Sequence, residues 1–313
     1  MESEITNRRL GIEIEVVVPI IGRGDNRDVQ NLLAEVLNHQ SIPSVSRSYS
    51  HQPIPHGCKL VVEHDESLQD ESRYHGLRWS KIEVKTAPME WSEIERVLPP
   101  ALEIIRYFGA RVNHSCGLHV HHHVPEIVDR PLIARNLQHL WWRFHPVMYG
   151  CVARSRKSHS YCHPPEQADA KQYDDCRFYE RLLHILGRIG RYNGLNLKNL
   201  ADRDRLTVEW RIHAGTVDFD KIKAWVLATQ RWTEHAVARN CHYRPEPISN
   251  TREGLNALLV TTGLKGNSRI YHKVQKELRQ VGRFLMRRWK HFNQREEYKA
   301  QPVAAAVPAD MPF

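Results

Sequence analysis

Four short segments of the chain alternate apolar residues with ionisable ones, which is the pattern of a β-strand with one buried and one polar face. They are residues 11–15, 82–85, 118–123 and 207–212. Successive side chains on a strand point to opposite faces, so the ionisable residues of each segment share one face. The pattern predicts a single sheet with a charged face that carries Glu13, Glu15, Glu83, Lys85, His119, His121, Glu209 and Arg211.

The rest of the hydrophobic pattern predicts the elements around these strands. The first strand is expected over residues 9–18, ending at Pro19, and another over 59–63. Residues 40–57 are predicted to be a long surface loop, and the basic stretch 154–172 fits a substrate-contacting loop or an ordinary connector equally well. Apolar residues at helical spacing predict helices over about residues 29–37, 92–107, 131–144, 176–187, 219–240 and 268–292.

Local signals predict how several of these helices begin. Ser92 and Glu95 fit a capping box, and the two prolines at 99–100 are expected to kink or restart that helix. Asp129, with a proline just inside the helix, predicts the start of the next one. Asp218 is the predicted cap of the long helix that follows the last charged strand.

Composition and charge indicate a globular, basic protein without a membrane-spanning segment. A chain of 313 residues with 41% hydrophobic content can bury a substantial core. The net charge of +9 and the pI near 9.3 fit an anionic partner as well as they fit a merely basic surface. The six cysteines form no C-x-x-C pair and the N-terminus has no apolar signal core, so a reducing, cytoplasmic location is expected. No apolar run approaches membrane-spanning length, so no membrane role is expected.

The charged face has the donor types of a metal and phosphate site. Glu13, Glu15, Glu83 and Glu209 offer carboxylate oxygens, which magnesium prefers. Carboxylates that converge on one sheet repel one another unless cations lie between them, so metal is expected if these strands are neighbours. Arg211 is suited to hold a phosphoryl group, because its guanidinium forks onto two oxygens and keeps its charge.

The histidines and the basic C-terminal region allow two other interpretations. His119 and His121 form an H-x-H pair, extended to His123, and such pairs also bind zinc and iron. A metal-dependent hydrolase or nuclease would use these histidines and the carboxylates to activate water. A nucleic-acid-binding protein would instead use the basic helix at residues 279–290.

Common nucleotide-binding and nucleophile motifs are absent from the sequence. The chain has no G-x-x-x-x-G-K-[ST] loop, and no G-x-G-x-x-G opens a helix after a strand. It also has no G-x-S-x-G elbow, and none of its cysteines has a recognisable catalytic setting. Any phosphate is therefore expected to be held by metal and basic side chains.

Six motifs follow one another along residues 8–240. They are Gly-Ile-Glu-Ile-Glu (11–15), Asp-Glu-Ser-Leu (65–68), Glu-Val-Lys-Thr-Ala-Pro (83–88), Cys-Gly-Leu-His-Val-His (116–121), Tyr-Asn-Gly-Leu-Asn (192–196) and Thr-Val-Glu-Trp-Arg-Ile-His-Ala-Gly-Thr (207–216). In order and spacing this set resembles the amidoligase family, carboxylate–amine ligases related to glutamine synthetase and glutamate–cysteine ligase. The resemblance implies an α+β fold with a curved antiparallel sheet and helices packed on one face, like the catalytic domain of glutamine synthetase.

The same resemblance implies cofactors and residue roles. The concave face of the sheet would hold ATP and two or three magnesium ions. The implied catalytic residues are Glu209 and Arg211, and Asp65 is a further candidate ligand. The implied metal ligands are Glu13, Glu15, Glu83, His119 and Glu209, and the implied ATP contacts are His121, Arg211 and Asn196.

An ATP-dependent ligase is therefore the leading hypothesis: it would join an amino-acid or peptide carboxylate to an amine through an acyl phosphate. Neither substrate is identified by the sequence, nor is the oligomeric state. Two departures from the family pattern are Lys85, where relatives more often carry an apolar residue, and the extension of the histidine pair by His122 and His123.

The predicted domain organisation follows the extent of the resemblance. Residues 1–243 are expected to form the amidoligase-like catalytic domain. Residues 244–299 are a basic helical extension reached through a linker with Pro245 and Pro247. Residues 300–313 are rich in proline and alanine and are predicted to be a disordered tail.

Overall fold

A seven-stranded β-sheet with the strand order β2-β3-β4-β1-β5-β7-β6 organises the fold. The computed structural model describes residues 8–48, 54–71, 76–242, 244–265 and 272–293. The strands are β1 (Leu10–Ile20), β2 (Ser44–Arg47), β3 (Leu60–His64), β4 (Arg78–Thr86), β5 (Gly117–His123), β6 (Leu195–Asn196) and β7 (Thr207–Ala214). All the strongly alternating segments lie in four adjacent members of this sheet, β4, β1, β5 and β7.

The pairing is antiparallel between all neighbours except β2 and β3, which run parallel. The expectation of a wholly antiparallel sheet is therefore wrong at this edge. β2 lies inside the predicted loop at residues 40–57, and the segment was missed because its four residues, Ser-Val-Ser-Arg, carry little hydrophobic signal. Its structure depends on pairing with β3, which local sequence does not show.

β1 does not end at Pro19 as predicted but continues through it to Ile20, with Pro19 opposite Trp79 of β4. Val17 donates its N–H to the carbonyl of Arg111, on the side away from β4. Alternate residues of an antiparallel strand address the same neighbour, so the missing N–H of Pro19 also lies on that side. The pairing of β5 with β1 has ended there, at Ile14, so no ladder bond is lost.

The helices of the described residues are α1 (Asn26–His39), α2 (Trp91–Tyr107), α3 (Leu132–Gly150), α4 (Arg154–Lys157), α5 (Gln167–Lys171), α6 (Tyr179–Arg188), α7 (Phe219–Ala238), α8 (Arg252–Thr261) and α9 (His272–Asn293). α1, α3 and α7 pack on the apolar side of the sheet, whereas α4 lies at the cleft and α9 packs on α3 and α7. Trp210 of β7 packs between Trp141 of α3 and Trp232 of α7, with ring centroids 5.8 and 5.2 Å away. All three indoles are fully buried, and they fix β7 against the helical layer.

Two predicted helix starts are wrong. α2 begins after Glu90 with no side-chain cap, so the expected capping box of Ser92 and Glu95 does not form. α3 begins after Pro131, again without a side-chain cap, so Asp129 does not cap it. By contrast, the prediction for α7 is confirmed, since Asp218 accepts a hydrogen bond from the backbone N–H of Lys221.

α2 also runs as one helix through Pro99 and Pro100, without the predicted restart. These prolines leave the carbonyls of Glu95 and Arg96 without their helical donors. Both residues are exposed, so water can satisfy those carbonyls. The apolar face of the helix, meanwhile, stays buried on either side of the prolines.

The C-terminal region packs on the end of α3. Arg288 of α9 donates to the carbonyl of Cys151 at 2.8 Å, and Asn293 donates to that of Gly150 at 2.9 Å. The predicted linker contains α8, which was not expected, and Trp289 of α9 donates to Asn250 just before it. The division at residue 243 stays a prediction, and the predicted tail at 300–313 lies outside the described residues.

None of the helices in the described part of the chain combines the length and apolar character needed to cross a membrane.

Candidate functional site

The register of the sheet brings the predicted site residues onto one face. Glu13 of β1 lies between Lys85 of β4 and His119 of β5, each opposite it in the ladder. One step along the sheet, His121 of β5 is opposite Glu209 of β7. Residues that are up to 196 positions apart in the chain, Glu13 and Glu209, therefore meet because the strands between them are neighbours.

One group of candidate metal ligands consists of Glu13, His119 and Glu209, whose ligand atoms lie within 4.8 Å of one another. His119 Nδ1 is 3.0 Å from Glu13 Oε2 and 3.7 Å from Glu209 Oε1. The side chains of His119 and Glu209 are only 3% and 4% exposed, while that of Glu13 is 20% exposed. Oxygen donors with one imidazole, open on one side to the cleft, are a suitable set for a divalent cation.

A second group consists of Glu15, Glu83 and again His119, also within 4.8 Å. His119 Nε2 lies 3.4 Å from Glu15 Oε1, so the two ring nitrogens face different groups. A neutral imidazole has only one lone-pair nitrogen, so His119 can ligate an ion in one group while its N–H bonds a carboxylate of the other.

Gly117 allows this second group to form. Its backbone N–H donates to Glu15 Oε2, and a Cβ at this position would lie 2.8 Å from His119 Nε2. A side chain at this position would displace the ends of His119, Arg156 and Glu15, so glycine lets β5 approach the glutamate and the histidine together. The Cys-Gly-Leu-His order of the sequence therefore has a steric reason.

The carboxylates of this face outnumber its fixed cations. Burial, together with the charge of Glu13, raises the pKa of Glu83 well above its usual value, and Lys85 offsets this only in part. The pKa of Glu13 instead lies well below its usual value despite burial, because His121 and His119 stabilise its charge. Lys85 alone therefore does not balance the negative charge around Glu83, and a divalent cation would complete that balance.

His121 and Arg211 border the first group on the side of β7. His121 Nε2 is 3.2 Å from Glu13 Oε1. The charges of Glu13 and Glu209 raise the pKa of His121, although burial opposes the shift. Arg211 contacts Glu209 Oε1 through Nη1 and donates from Nε to the carbonyl of Tyr161 at 3.1 Å. These contacts hold a charged guanidinium at the edge of the candidate metal site.

Arg211 lies at an irregularity of the β5–β7 pairing. Val120 is opposite Trp210 while Leu118 is opposite His213, so β7 has one more residue than β5 between these pairs. Such a bulge re-aims a side chain and increases local twist.

Asn196 and Asp65 are placed differently. Asn196 of β6 donates from Nδ2 to Glu209 Oε2 at 2.6 Å, and so orients a candidate ligand. Its short strand depends on Gly194, where a Cβ would lie 2.4 Å from Ile212 Cγ2. Asp65 lines the same cleft but belongs to neither ligand group among the described residues, and its Oδ1 accepts from the backbone of Ser67.

Sequence reasoning missed two charged residues of the site. Glu63 of β3 is fully buried and forms ion pairs with Arg47 and Lys85. Its signal was weak because it follows the apolar run Leu-Val-Val rather than an alternating pattern.

The other missed residue, Arg156 of α4, is 1% exposed and donates from Nη2 to the carbonyl of Arg211 at 2.7 Å. No local pattern distinguishes it within the basic stretch 154–172. Arg156, His159 and Tyr161 all line the cleft, so the first part of that stretch belongs to the site.

Apart from the fully buried Glu63, the charged residues described above line one cleft of about 1880 Å³. Pockets for small ligands usually have volumes of about 300–1,000 Å³, so this cleft has room for more than one substrate. Basic side chains surround the acidic floor: Arg47, Lys59, Lys85, Arg156, Lys198 and Arg211.

No curated protein gives a significant match to the chain. Among solved structures, one match is the crystal structure of the complex between Prokaryotic Ubiquitin-like Protein Pup and its ligase PafA. That match has a TM-score of 0.37 and 12% sequence identity, and it covers 96% of this chain but only 66% of the other. A similarity this loose supports no inference about activity.

A match to a protein family covers most of the chain. Residues 6–233 match the family described as "Putative amidoligase enzyme". This range includes every candidate ligand, together with Arg47, Arg156 and Arg211 of the cleft. The chain therefore belongs to the amidoligase family.

Proposed function

We propose that this protein is an ATP- and magnesium-dependent ligase that joins a carboxylate to an amine. The observation that carries the proposal is the convergence of Glu13, Glu15, Glu83, His119 and Glu209 on one sheet face, at the floor of a cleft with basic walls. Membership of the amidoligase family supports an amide as the product. For the fold, we propose the glutamine synthetase-like arrangement that the motif order implies.

The donor set favours magnesium over zinc. Four of the five candidate ligands are carboxylates, and hard divalent cations take oxygen ligands, whereas imidazole-rich sites suit zinc. When bound, magnesium would neutralise charge on the phosphates of ATP. The predominance of carboxylates also makes the hydrolase alternative the weaker one.

The reaction would have two steps. A carboxylate oxygen of the first substrate attacks the γ-phosphorus of ATP, the bond to the bridging oxygen breaks, and ADP leaves. The nitrogen of the amine then attacks the carbonyl carbon of the acyl phosphate, phosphate leaves, and the amine loses a proton. Water competes with the amine, so a walled cleft that limits its access is an advantage.

The chain's own residues would act mainly by position and charge. Arg211 would contact the transferring phosphoryl group, because Glu209 and the carbonyl of Tyr161 already fix its guanidinium. Arg156 would support Arg211 through the bond to its carbonyl. His121, which lines the cleft beside Glu13, would donate a hydrogen bond from its ring to phosphate oxygens. Asn196 would hold Glu209 in orientation.

Hydroxylamine provides a test that does not require the natural amine. The protein is incubated with Mg²⁺, ATP and pools of amino acids or short peptides, with and without hydroxylamine. We expect a hydroxamate of one carboxylate and an equal amount of ADP and phosphate, all dependent on hydroxylamine. ADP release that ignores both carboxylate and amine would contradict the proposal. Phosphodiester cleavage without ATP, by protein that purifies with zinc, would support the hydrolase alternative instead.

A further inference from the structure

Three glutamates lie side by side on neighbouring strands at one end of the site. Glu63 of β3 is opposite Glu83 of β4, and Glu83 is opposite Glu15 of β1. Their exposed fractions are 0%, 4% and 5%. Buried like charges on adjacent strands are unfavourable unless positive charge lies between them. The row contains two such gaps.

The two gaps are filled in different ways. Between Glu15 and Glu83, the carboxylates and His119 form one of the candidate metal groups. Between Glu83 and Glu63 lies the ammonium group of Lys85, 2.8 Å from Glu83 Oε2 and 2.9 Å from Glu63 Oε2. The Lys85 ammonium therefore lies between Glu83 and Glu63 in the same way that a metal ion would lie between Glu15 and Glu83.

Ion pairs hold this lysine in place. Glu63 Oε1 is 2.6 Å from Arg47 Nε, so both oxygens of Glu63 contact protein cations and neither is open to a metal. An ammonium is a compact point charge with three donors, which suits it to replace a small cation between carboxylates.

We propose that the Lys85 ammonium takes the place of one divalent cation, so that this chain binds two ions where its site would otherwise bind three. The two ions belong to the group of Glu13, His119 and Glu209 and to the group of Glu15 and Glu83. This inference rests on the proposed function and adds to it the number of metal ions that the site binds. It also gives a role to Glu63 and Arg47 as positioning residues for Lys85.

Direct counting of bound Mn²⁺ tests the inference. The full chain is titrated with Mn²⁺ alone, and free ion is measured by electron paramagnetic resonance. We expect two ions per wild-type chain and three for Lys85→Met, which keeps the length of the side chain but removes the charge. In the double variant Lys85→Met with Glu63→Gln, the count returns to two because a ligand of the new site is lost.

Lys81→Met is the matched control. Lys81 lies on the same strand and face, but its ion pair is with Asp70, at 3.6 Å, away from the row of glutamates. Its substitution leaves the count at two. A melting curve with and without Mn²⁺ accompanies each count, and the ion raises the melting temperature of Lys85→Met more than that of the wild type.

Three ions in the wild-type chain would overturn the inference, as would two in a folded Lys85→Met variant. If Lys85→Met folds only with Mn²⁺ and then holds three ions, the inference is supported. If it does not fold in either condition, the wild-type count alone decides. The count needs no substrate, so it stands even if no ligase activity is found. Conversely, ligase activity with three wild-type ions would reject only the role of Lys85.

Discussion

Neighbouring residues on the same strand have opposite chemistry on the two faces of the sheet. His121 faces the cleft between Glu13 and Glu209, which raise its pKa although burial opposes the shift. His122, the next residue, faces the helices and contacts Thr229 at 2.8 Å. Burial, with the charges of Arg8 and His121, lowers the pKa of His122 to about 3. One imidazole is therefore favoured as a cation and its neighbour as a neutral ring.

β7 repeats this contrast with Glu209 and Trp210. Glu209 is held by Asn196 and Arg211 on the cleft face, and Trp210 is packed among tryptophans on the other. In both strands, the face on which a side chain lies, more than its residue type, determines whether it contributes to the charged cleft or to the buried core. Substitutions at adjacent residues should therefore separate stability from activity.

The largest effect is expected for Trp210→Ala on the helical face. The substitution removes a fully buried indole and leaves a cavity, which costs roughly 3–5 kcal/mol of unfolding free energy. Denaturant unfolding measures this loss, with Trp210→Phe as a milder control. Since Trp210 does not line the cleft, activity per folded molecule is expected to change little. Full stability in Trp210→Ala would show that this face is not the one that holds the fold together.

Glu209→Gln, on the cleft face, should have a large effect on activity and a smaller effect on stability. The amide keeps the shape and can still bond Arg211, but it removes a charged candidate ligand and should slow ADP formation ~10²–10³-fold, about 3–4 kcal/mol in the barrier. Unfolding free energy should fall less than in Trp210→Ala, because losing the charge that Arg211 and His121 stabilise is partly offset by less repulsion from Glu13. Rates under saturating Mg²⁺ and ATP test this. Turnover at the wild-type rate would remove Glu209 from the proposed mechanism.

The pH dependence of stability sharpens the comparison of the two histidines. The pKa of His122 is about 3 in the folded state, below the usual value of 6.5. Between these values the unfolded chain binds a proton that the folded chain does not, so stability falls as pH drops below about 6.5. At pH 5 this costs about 2 kcal/mol. The wild type should therefore lose about that much more between pH 7 and pH 5 than His122→Gln.

His213, which is also buried and has a lowered pKa, is present in both proteins, so its contribution cancels in that difference. Equal losses in the two proteins would mean that His122 is not held as a neutral ring.

The smallest effect is expected on α9, which belongs to neither face of the sheet. Arg283 is exposed there, so Arg283→Ala should change the unfolding free energy by less than about 0.5 kcal/mol and leave ADP formation unaltered. Nucleic-acid binding in a salt series serves as the second readout. Steep salt dependence in the wild type that weakens in the variant would favour the nucleic-acid alternative.

The alternating pattern was enough to predict the four strands of the site and the face that each charged residue occupies. Their neighbours could not be predicted in the same way, because β2 and β6 exist only through pairing with distant residues. Proline was misleading in a strand and in a helix alike. At Pro19 the missing N–H faces no strand partner, and at the 99–100 pair the carbonyls left without donors are exposed to water, so both elements continue. Such compensation is a property of three-dimensional context.

The candidate ligands could be chosen from sequence because they recur at a two-residue period. Glu63 and Arg156 lack that signal, and their role depends on ion pairs and burial that only the folded chain creates. Lys85 was visible in the pattern, but its contact with two glutamates follows from the order of β3 and β4.

The extra residue of β7 has a consequence for how this family can vary in length. Removing one of the two residues between Trp210 and His213 would leave one residue between the pairs on each strand, so both side chains would keep their partners, Val120 and Leu118, on the helical face. The bulge would be lost, and with it the local twist that brings Arg211 to Glu209. A residue added or removed elsewhere in β7 would instead turn the rest of the strand over. A change of length in this strand is therefore compatible with the packing of its tryptophan only at the bulge, and there it alters the placement of the arginine.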